Sequence, residues 1–255
     1  HRLLTRECDT LPDRFARQGY RTLGLMPGLR YAWPEGDFYG FQHILGERIL
    51  NYRGPEFGWW RIPDQYAIAR LDQLEISVAQ RPPLFVFYPT ISSHMPFRPT
   101  PPYQADWDRM LTQQPFEPGT LEVSLTRPPD WTDLGPAYTD ALNYAFTWLA
   151  GYLEKHADSD LVIIVLGDHQ PPASVSGASA PWEVPVHVIT QRTDILESLQ
   201  SAGLQPGLEP GRPTLGPMHE LTAALLKVFD SGDTSARSAS ERSAAVSHQS
   251  GVDIP

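Results

Sequence analysis

Residues 161–170 have the sequence Leu-Val-Ile-Ile-Val-Leu-Gly-Asp-His-Gln, and this stretch decides the fold class. Six successive apolar residues between Asp160 and Gly167 predict a strand that is buried on both faces of a sheet. Asp168 and His169 follow at its end, and a carboxylate oxygen beside an imidazole nitrogen suits Zn²⁺ or Mn²⁺. A strand-ending turn with a solvated Asp-His pair has the same sequence, so both interpretations remain open.

The composition is that of a globular domain with an acidic surface. The 255 residues are 41% apolar and 11% aromatic, with a net charge of -10, which argues against nucleic acid or an anionic membrane as a partner. Cys8 is the single cysteine, so a disulfide framework and a cysteine-ligated zinc site are excluded. No stretch approaches the roughly 20 apolar residues that span a bilayer. The first residue is His rather than Met, which favours a trimmed chain.

Helical and strand patterns alternate along the chain and predict an α/β fold, with a mainly parallel sheet flanked by helices. We expect residues 1–230 to form this domain and residues 231–255, which are rich in Ser and Ala, to form a disordered tail. Residues 26–60 are rich in Gly, Pro and aromatic residues and predict a packed loop region. The predicted helices cover residues 11–18, 64–79, 137–156, 193–202 and 217–229, and the predicted strands cover 21–25, 83–88, 161–166 and 184–190.

A second polar segment, Thr-Ile-Ser-Ser-His-Met-Pro-Phe at residues 90–97, follows the predicted strand 83–88. In a parallel sheet its tip and the tip of strand 161–166 face the same crevice. His94 could there hydrogen-bond an anionic oxygen of a substrate or protonate a leaving group. A loop histidine bonded to the backbone is the alternative. The aromatic residues Phe57, Trp59 and Trp60 predict a packed cover over the sheet, with a platform for a sugar or lipid headgroup as the alternative.

Four segments stand out along the chain: residues 11–22, 38–41, 90–97 and 167–171. In their order and spacing they resemble the alkaline phosphatase/sulfatase superfamily and within it the lipoteichoic acid synthase-like sulfatase branch. The resemblance covers residues 1 to about 230, and its specific elements are Thr-x-Ser-Ser-His-x-Pro-Phe and Gly-Asp-His. It implies an alkaline phosphatase-like fold that lacks its amino-terminal part.

The resemblance also implies roles for individual residues. Asp168 and His169 would be two ligands of a divalent ion, which is Mn²⁺, Mg²⁺ or Zn²⁺ in different members, and His94 would contact the phosphate or sulfate group. Trp33 lies where members carry a tryptophan beside the substrate headgroup. Glu35 stands where members have an arginine, and a carboxylate repels the phosphate that a guanidinium would clamp.

The family's nucleophile and a further acidic metal ligand lie upstream of the matching segments, so we expect both before His1. Thr5 and Cys8 lie near the amino end but lack the family's surrounding motif. The resemblance therefore implies a metal-dependent hydrolase or transferase of phosphate or sulfate esters, such as a phosphoglycerol transferase, whose isolated chain is inactive. Members of this branch are commonly anchored in a membrane, with the catalytic domain on its periplasmic or extracellular face.

Two alternatives remain open. A non-catalytic module, either a fragment or a degenerate member, would keep the crevice without the nucleophile. A phosphoglycerate mutase-like isomerase would share the fold but would need several arginines in its pocket. The site loops offer only Arg30 and Arg98 for that purpose, so this alternative ranks third.

Overall fold

A three-stranded parallel sheet organises the larger part of the chain. The computed structural model describes residues 9–229. Within them the chain divides into two compact units. The larger unit comprises residues 9–155 and 171–178, and the smaller unit comprises residues 156–170 and 179–229.

The sheet of the larger unit has β1 (Arg21–Met26) between β2 (His43–Gly46) and β3 (Leu84–Phe87), and all three strands are parallel. Leu23 and Leu25 of β1 are fully buried, as expected of a central strand. The predicted parallel sheet is confirmed for these three strands. The prediction of a loop throughout residues 26–60 is wrong, because β2 lies within it. With only four residues among glycines and aromatics, β2 gives too short an alternation to be recognised.

The helices predicted for the larger unit are confirmed, with small changes in their bounds. The helix that begins at Thr10 is capped, because the Thr10 hydroxyl accepts from the Asp13 backbone N–H at 3.3 Å. The helix that begins at Asp64 continues into a π-helical segment, Asp72–Ile76. The helices of this unit are α1 (Leu11–Arg17), α2 (Glu35–Tyr39), α3 (Glu47–Leu50), α4 (Asp64–Leu71), α5 (Trp107–Met110), α6 (Pro118–Thr126), α7 (Gly135–Lys155) and α8 (Ala173–Ser176).

Helix α4 lies in the centre of the larger unit, with all but one of its residues buried. Helix α7 packs on it: the Tyr144 hydroxyl accepts from the Gln65 N–H at 3.3 Å, and the Lys155 ammonium contacts the Asp72 carboxylate at 2.5 Å. This packing places Asp64, the first residue of α4, in the interior. From there its carboxylate accepts hydrogen bonds from the loop after β3.

The smaller unit is built on a two-stranded antiparallel sheet. Strand β4 (Val162–Leu166) pairs with β5 (Val186–Thr190), and α9 (Thr193–Ser201) follows. A 3₁₀ turn, Met218–Glu220, leads into α10 over residues 221–229. The core of the unit combines buried residues of the two helices with one face of the sheet: Ile195, Leu199, Leu225 and Val228 with Val162, Ile164 and Val188.

Two predictions about strand 161–166 are wrong. The strand is not buried on both faces, because residues 162–165 are half-buried and Leu166 is exposed. It is also not part of the parallel sheet, because its partner within the described residues is β5, in the antiparallel sense. Side chains alternate between the faces of a strand, so the helices cover only the face that carries Val162 and Ile164.

In the part of the chain that the structure describes, no helix is long and apolar enough to cross a membrane. Thr5, Cys8 and the predicted tail 231–255 lie outside the described residues.

Candidate functional site

The loop after β3, residues 88–97, begins against the buried carboxylate of Asp64. The backbone N–H groups of Ile91 and Ser92 each donate to a different Asp64 carboxylate oxygen, both at 2.9 Å. The Tyr88 hydroxyl donates to Asp64 Oδ1 at 3.1 Å. Burial raises the pKa of Asp64, and the two backbone donors oppose this shift. Asp64 therefore takes the place of water as the acceptor for three donors in the first part of this loop.

The far end of this loop is anchored by Phe97. Its side chain is 2% exposed and packs in a cluster with Leu134, Ala137 and Ala141. Its ring also meets Tyr138 edge to face, at 5.1 Å between centroids. The backbone of Phe97 has φ 65°, a left-handed conformation that costs about 1–3 kcal/mol in a non-glycine residue. The burial of the ring offsets that cost and fixes the direction in which the loop leaves.

His94 lies exposed between these two anchors. Its Nδ1 is 2.8 Å from the Met95 carbonyl oxygen, so the ring donates from Nδ1 and leaves Nε2 free for a ligand. In the neutral ring Nε2 accepts a hydrogen bond, and in the protonated ring it donates one. The loop therefore fixes which ring nitrogen is available for chemistry.

Trp59, which the sequence predicts as part of an aromatic cover or of a headgroup platform, is the aromatic neighbour of His94. The two rings meet edge to face with centroids 5.1 Å apart, and Trp59 is 51% exposed. The predicted aromatic cover is confirmed as packed structure for Phe57 and Trp60, both nearly fully buried, but Trp59 turns outward. Trp59 is the middle residue of a turn, residues 58–60, between the bridged Phe57 and Arg61, and Gly58 was the available signal for that turn.

The two arginines that sequence analysis placed near this loop are both held by carboxylates. Arg30 donates to Glu47 at 3.1 Å and to the Trp59 carbonyl oxygen at 3.1 Å. Arg98 is 8% exposed and pairs with Asp140. Arg98 is therefore committed to the interior, whereas Arg30 lies at the edge of the His94 and Trp59 surface.

Trp33, the other predicted binding residue, contacts the helix that follows it, α2. Its ring lies 5.6 Å from that of Tyr39, and it is close to Gly36, where an added Cβ would come within 2.9 Å of the indole. Gly36 is thus required for this packing. Glu35 is exposed at the start of α2. The role of Trp33 beside a headgroup stays a prediction.

The loop after β4 presents Asp168 and His169 to solvent. Their side chains are 86% and 70% exposed. His169 Nδ1 is 2.7 Å from the Gln170 carbonyl oxygen, so this ring also donates from Nδ1. Its Nε2 lies 3.4 Å from Asp168 Oδ2, and in the neutral form of the ring each of these two atoms carries a lone pair. Two facing acceptors repel each other unless a proton or a metal ion lies between them.

The spacing of these two atoms fits a shared metal ion. Two donors each about 2.1 Å from one ion are about 3.4 Å apart when the angle between them is tetrahedral. The Nδ1 bond to a carbonyl is the arrangement that orients metal-bound histidines in general. Within residues 9–229, no three His, Cys, Asp or Glu side chains are grouped so that they could hold a metal. Asp168 and His169 thus offer part of a coordination sphere.

His94 belongs to the larger unit, and Asp168 and His169 belong to the smaller unit. The argument from a common parallel sheet no longer brings them together, since β3 and β4 lie in different sheets. Their meeting in one crevice stays a prediction.

One of the comparisons with known proteins gave a match. No protein-family model matches the chain, and no curated protein matches it. The chain is similar to a solved structure described as a protein in the alkaline phosphatase superfamily from Vibrio parahaemolyticus, with 20% sequence identity and a TM-score of 0.45. The match covers 74% of this chain and 44% of that protein, so the chain spans less than half the length of its match.

Proposed function

We propose that this chain supplies part of the active site of a metal-dependent enzyme that hydrolyses or transfers phosphate or sulfate esters. The observation that carries the proposal is the 3.4 Å spacing between Asp168 Oδ2 and His169 Nε2. The two sequence elements that resemble the superfamily, residues 90–97 and 167–171, support it as well. Each of them contains one of the two exposed histidine sites.

In this proposal each residue has one task. Asp168 and His169 hold the ion, which can be Zn²⁺, Mn²⁺ or Mg²⁺. A bound ion would lower the pKa of a hydroxyl nucleophile and offset the charge of the ester. His94 donates from Nε2 to an oxygen of the phosphate or sulfate group, or protonates the leaving group, while Met95 holds its ring. Trp59 forms an apolar wall beside it. The nucleophile is not assigned to any of residues 9–229.

The finer part of the proposal concerns the substrate and the location. The exposed Trp59 ring beside a histidine fits the carbon skeleton of a lipid headgroup or glycan that carries the ester. A phosphoglycerol transferase on the periplasmic or extracellular face of a membrane is one such enzyme. Turnover of p-nitrophenyl phosphate against p-nitrophenyl sulfate distinguishes the two ester classes.

A second candidate is a non-catalytic binding module with the same fold. The observation that favours it is that, among residues 9–229, no third ligand is grouped with Asp168 and His169. Such a module would keep anion recognition at His94 without chemistry.

Metal titration tests the proposal. Zn²⁺ and Mn²⁺ are titrated calorimetrically into the full chain, into Asp168→Asn combined with His169→Gln, and into His219→Gln combined with Glu220→Gln. The last pair is a matched control, because it is also an exposed adjacent His and acid, but its atoms are 3.9 Å apart. We expect the first double variant to lose at least tenfold in affinity, as is typical of removed ligands. Equal affinities in all three proteins would contradict the proposal.

A further inference from the structure

A polar cavity of about 220 Å³ lies in the larger unit, away from the two histidine loops in sequence. Its walls come from the end of α3, from α4 and from the turn after α5. Tyr66 and Arg70 are four residues apart on α4 and so share one face of that helix. The lining residues are Asn51, Arg53, Tyr66, Arg70, Leu111, Thr112 and Gln113.

Two cations line this cavity and no carboxylate does. This is unusual in a chain whose net charge is -10. Most arginines of the described residues contact a carboxylate: Arg14, Arg17, Arg21, Arg30, Arg61, Arg98, Arg109, Arg127 and Arg192. Within residues 9–229, neither Arg53 nor Arg70 forms such a pair. Arg70 instead bonds the side-chain oxygen of Gln73, which carries no charge.

The two guanidinium groups belong to residues that line the same cavity. Both lower the pKa of Tyr66, against the stronger effect of burial, so both act on the same hydroxyl. That hydroxyl is engaged, since it donates to the Leu50 carbonyl oxygen at 2.8 Å. The hydroxyl hydrogen is therefore committed to the backbone, and the guanidinium groups are the charged donors among the residues that line the cavity. Asn51 and Gln113 add neutral amide donors to the wall.

We propose that this cavity, which we call the Arg53/Arg70 pocket, binds a small anionic group such as phosphate, sulfate or the same group on a larger ligand. Its volume lies below the roughly 300–1,000 Å³ of pockets for drug-sized molecules, so it fits one compact group. Guanidinium groups bind tetrahedral oxyanions through paired N–H bonds that a point charge does not provide. The proposal does not depend on the function proposed above, because none of its residues belongs to the histidine loops.

Titration with inorganic sulfate and phosphate tests the proposal, in the full chain at constant ionic strength balanced with chloride. Binding is followed by calorimetry and by the NMR signals of the arginine side chains. We expect saturable binding, and at least about a tenfold loss of affinity in each of Arg53→Gln and Arg70→Gln, since each removes charged hydrogen bonds. Arg48→Gln is the matched control, because Arg48 is exposed on α3 and does not line the pocket. Arg53 is also exposed, so its substitution leaves the fold intact.

The results for the variants show whether the anion binds at the Arg53/Arg70 pocket. Loss in Arg53→Gln and Arg70→Gln with unchanged binding in Arg48→Gln supports the pocket. Equal loss in all three variants, or no saturable binding, overturns it, because the ions then respond only to overall charge. His94→Ala separates this proposal from the function proposed above: sulfate binding that disappears in His94→Ala and persists in Arg53→Gln places the anion at the histidine loop and overturns the pocket.

Discussion

The loop after β3 and the loop after β4 each carry a histidine whose Nδ1 donates to a neighbouring carbonyl, and the protein supports them differently. The loop with His94 is fixed at both ends by buried groups, Asp64 and Phe97. The loop with His169 is held near its ends by bonds from the Gly167 N–H to the Pro185 carbonyl oxygen and from Gln170 to the Glu183 carbonyl oxygen. The side chains of Asp168 and His169 are largely exposed.

The two loops therefore differ in how they are ordered. The His94 loop is preorganised by the protein interior, so a ligand needs to order little when it binds there. The loop with Asp168 and His169 places two acceptors against each other, and a cation would order them. The first loop should therefore respond to mutation of the core, and the second should respond to metal.

The largest expected effect comes from Asp64→Ala. This change leaves the N–H groups of Ile91 and Ser92 without their acceptor, and the Tyr88 hydroxyl keeps only the backbone carbonyl oxygen of residue 64. Each unsatisfied buried donor costs about 1–3 kcal/mol, so we expect a loss of about 3–5 kcal/mol in the free energy of unfolding. Urea denaturation followed by tryptophan fluorescence measures it. Asp168→Ala is the control and should change stability by less than about 0.5 kcal/mol. Equal effects of the two changes would remove the contrast between the loops.

Metal binding should stabilise the loop that carries Asp168 and His169. At a free Zn²⁺ or Mn²⁺ concentration about 100 times the dissociation constant, binding stabilises the folded state by about 2.7 kcal/mol. Hydrogen exchange should show slower exchange of the amides at residues 167–170 and no change at residues 90–97. The variant Asp168→Asn with His169→Gln should show neither effect. Slower amide exchange at residues 90–97 alone would contradict this prediction, because the ion would then bind at the His94 loop.

High pH should weaken the unit that carries the His94 loop. All ten tyrosines lie before residue 156, and burial raises the pKa of Tyr88 and of Tyr144 well above 10.0. Since the folded value is the higher one, the stabilisation is complete below pH 10 and is lost as pH rises above it. The loss is about 1.4 kcal/mol per pH unit for each such tyrosine. Thermal denaturation between pH 9 and 11 measures this slope, and Tyr144→Phe should reduce it. An unchanged slope would contradict the burial argument.

The smallest change in stability is expected for His94→Gln. His94 is exposed, so the free energy of unfolding should change by less than about 0.5 kcal/mol. Loss of the hydrogen bond from the His94 ring should nevertheless weaken phosphate binding at this loop by about tenfold. The NMR shift of the Trp59 indole on addition of phosphate reports the site, because the rings are in contact. His156→Gln is the control, and an equal loss in it would argue against a specific role for His94.

Local sequence patterns predicted the positions of most elements. Periodicity located α1, α4, α7, β1, β3 and β4 to within a few residues, apart from the α4 carboxyl end, because spacing of apolar residues reflects which face is buried. Polar residues after the apolar runs identified the two histidine loops. The pattern failed for β2, whose four residues are too few to show a period, and it also missed the helices α2, α3, α5, α6 and α8.

The roles of Asp64 and Trp59 could not be predicted in this way. Asp64 is 27 residues before Ile91, and nothing in its neighbourhood indicates that a distant loop will use its oxygens. Trp59 lies among aromatics that are otherwise buried, and only its exposure and its contact with His94 distinguish it. Burial and hydrogen bonding between distant segments depend on the whole fold.

By itself, the sequence determined the alternating elements, the acidic charge and the identity of the exposed histidine sites, because these depend on local spacing and side-chain chemistry. The tertiary structure alone decided that β4 pairs antiparallel with β5 instead of joining the parallel sheet. It also decided that Asp64 fixes the His94 loop and that Arg53 and Arg70 line one cavity. An apolar run is satisfied by either kind of strand pairing, and the choice depends on contacts between residues far apart in the chain.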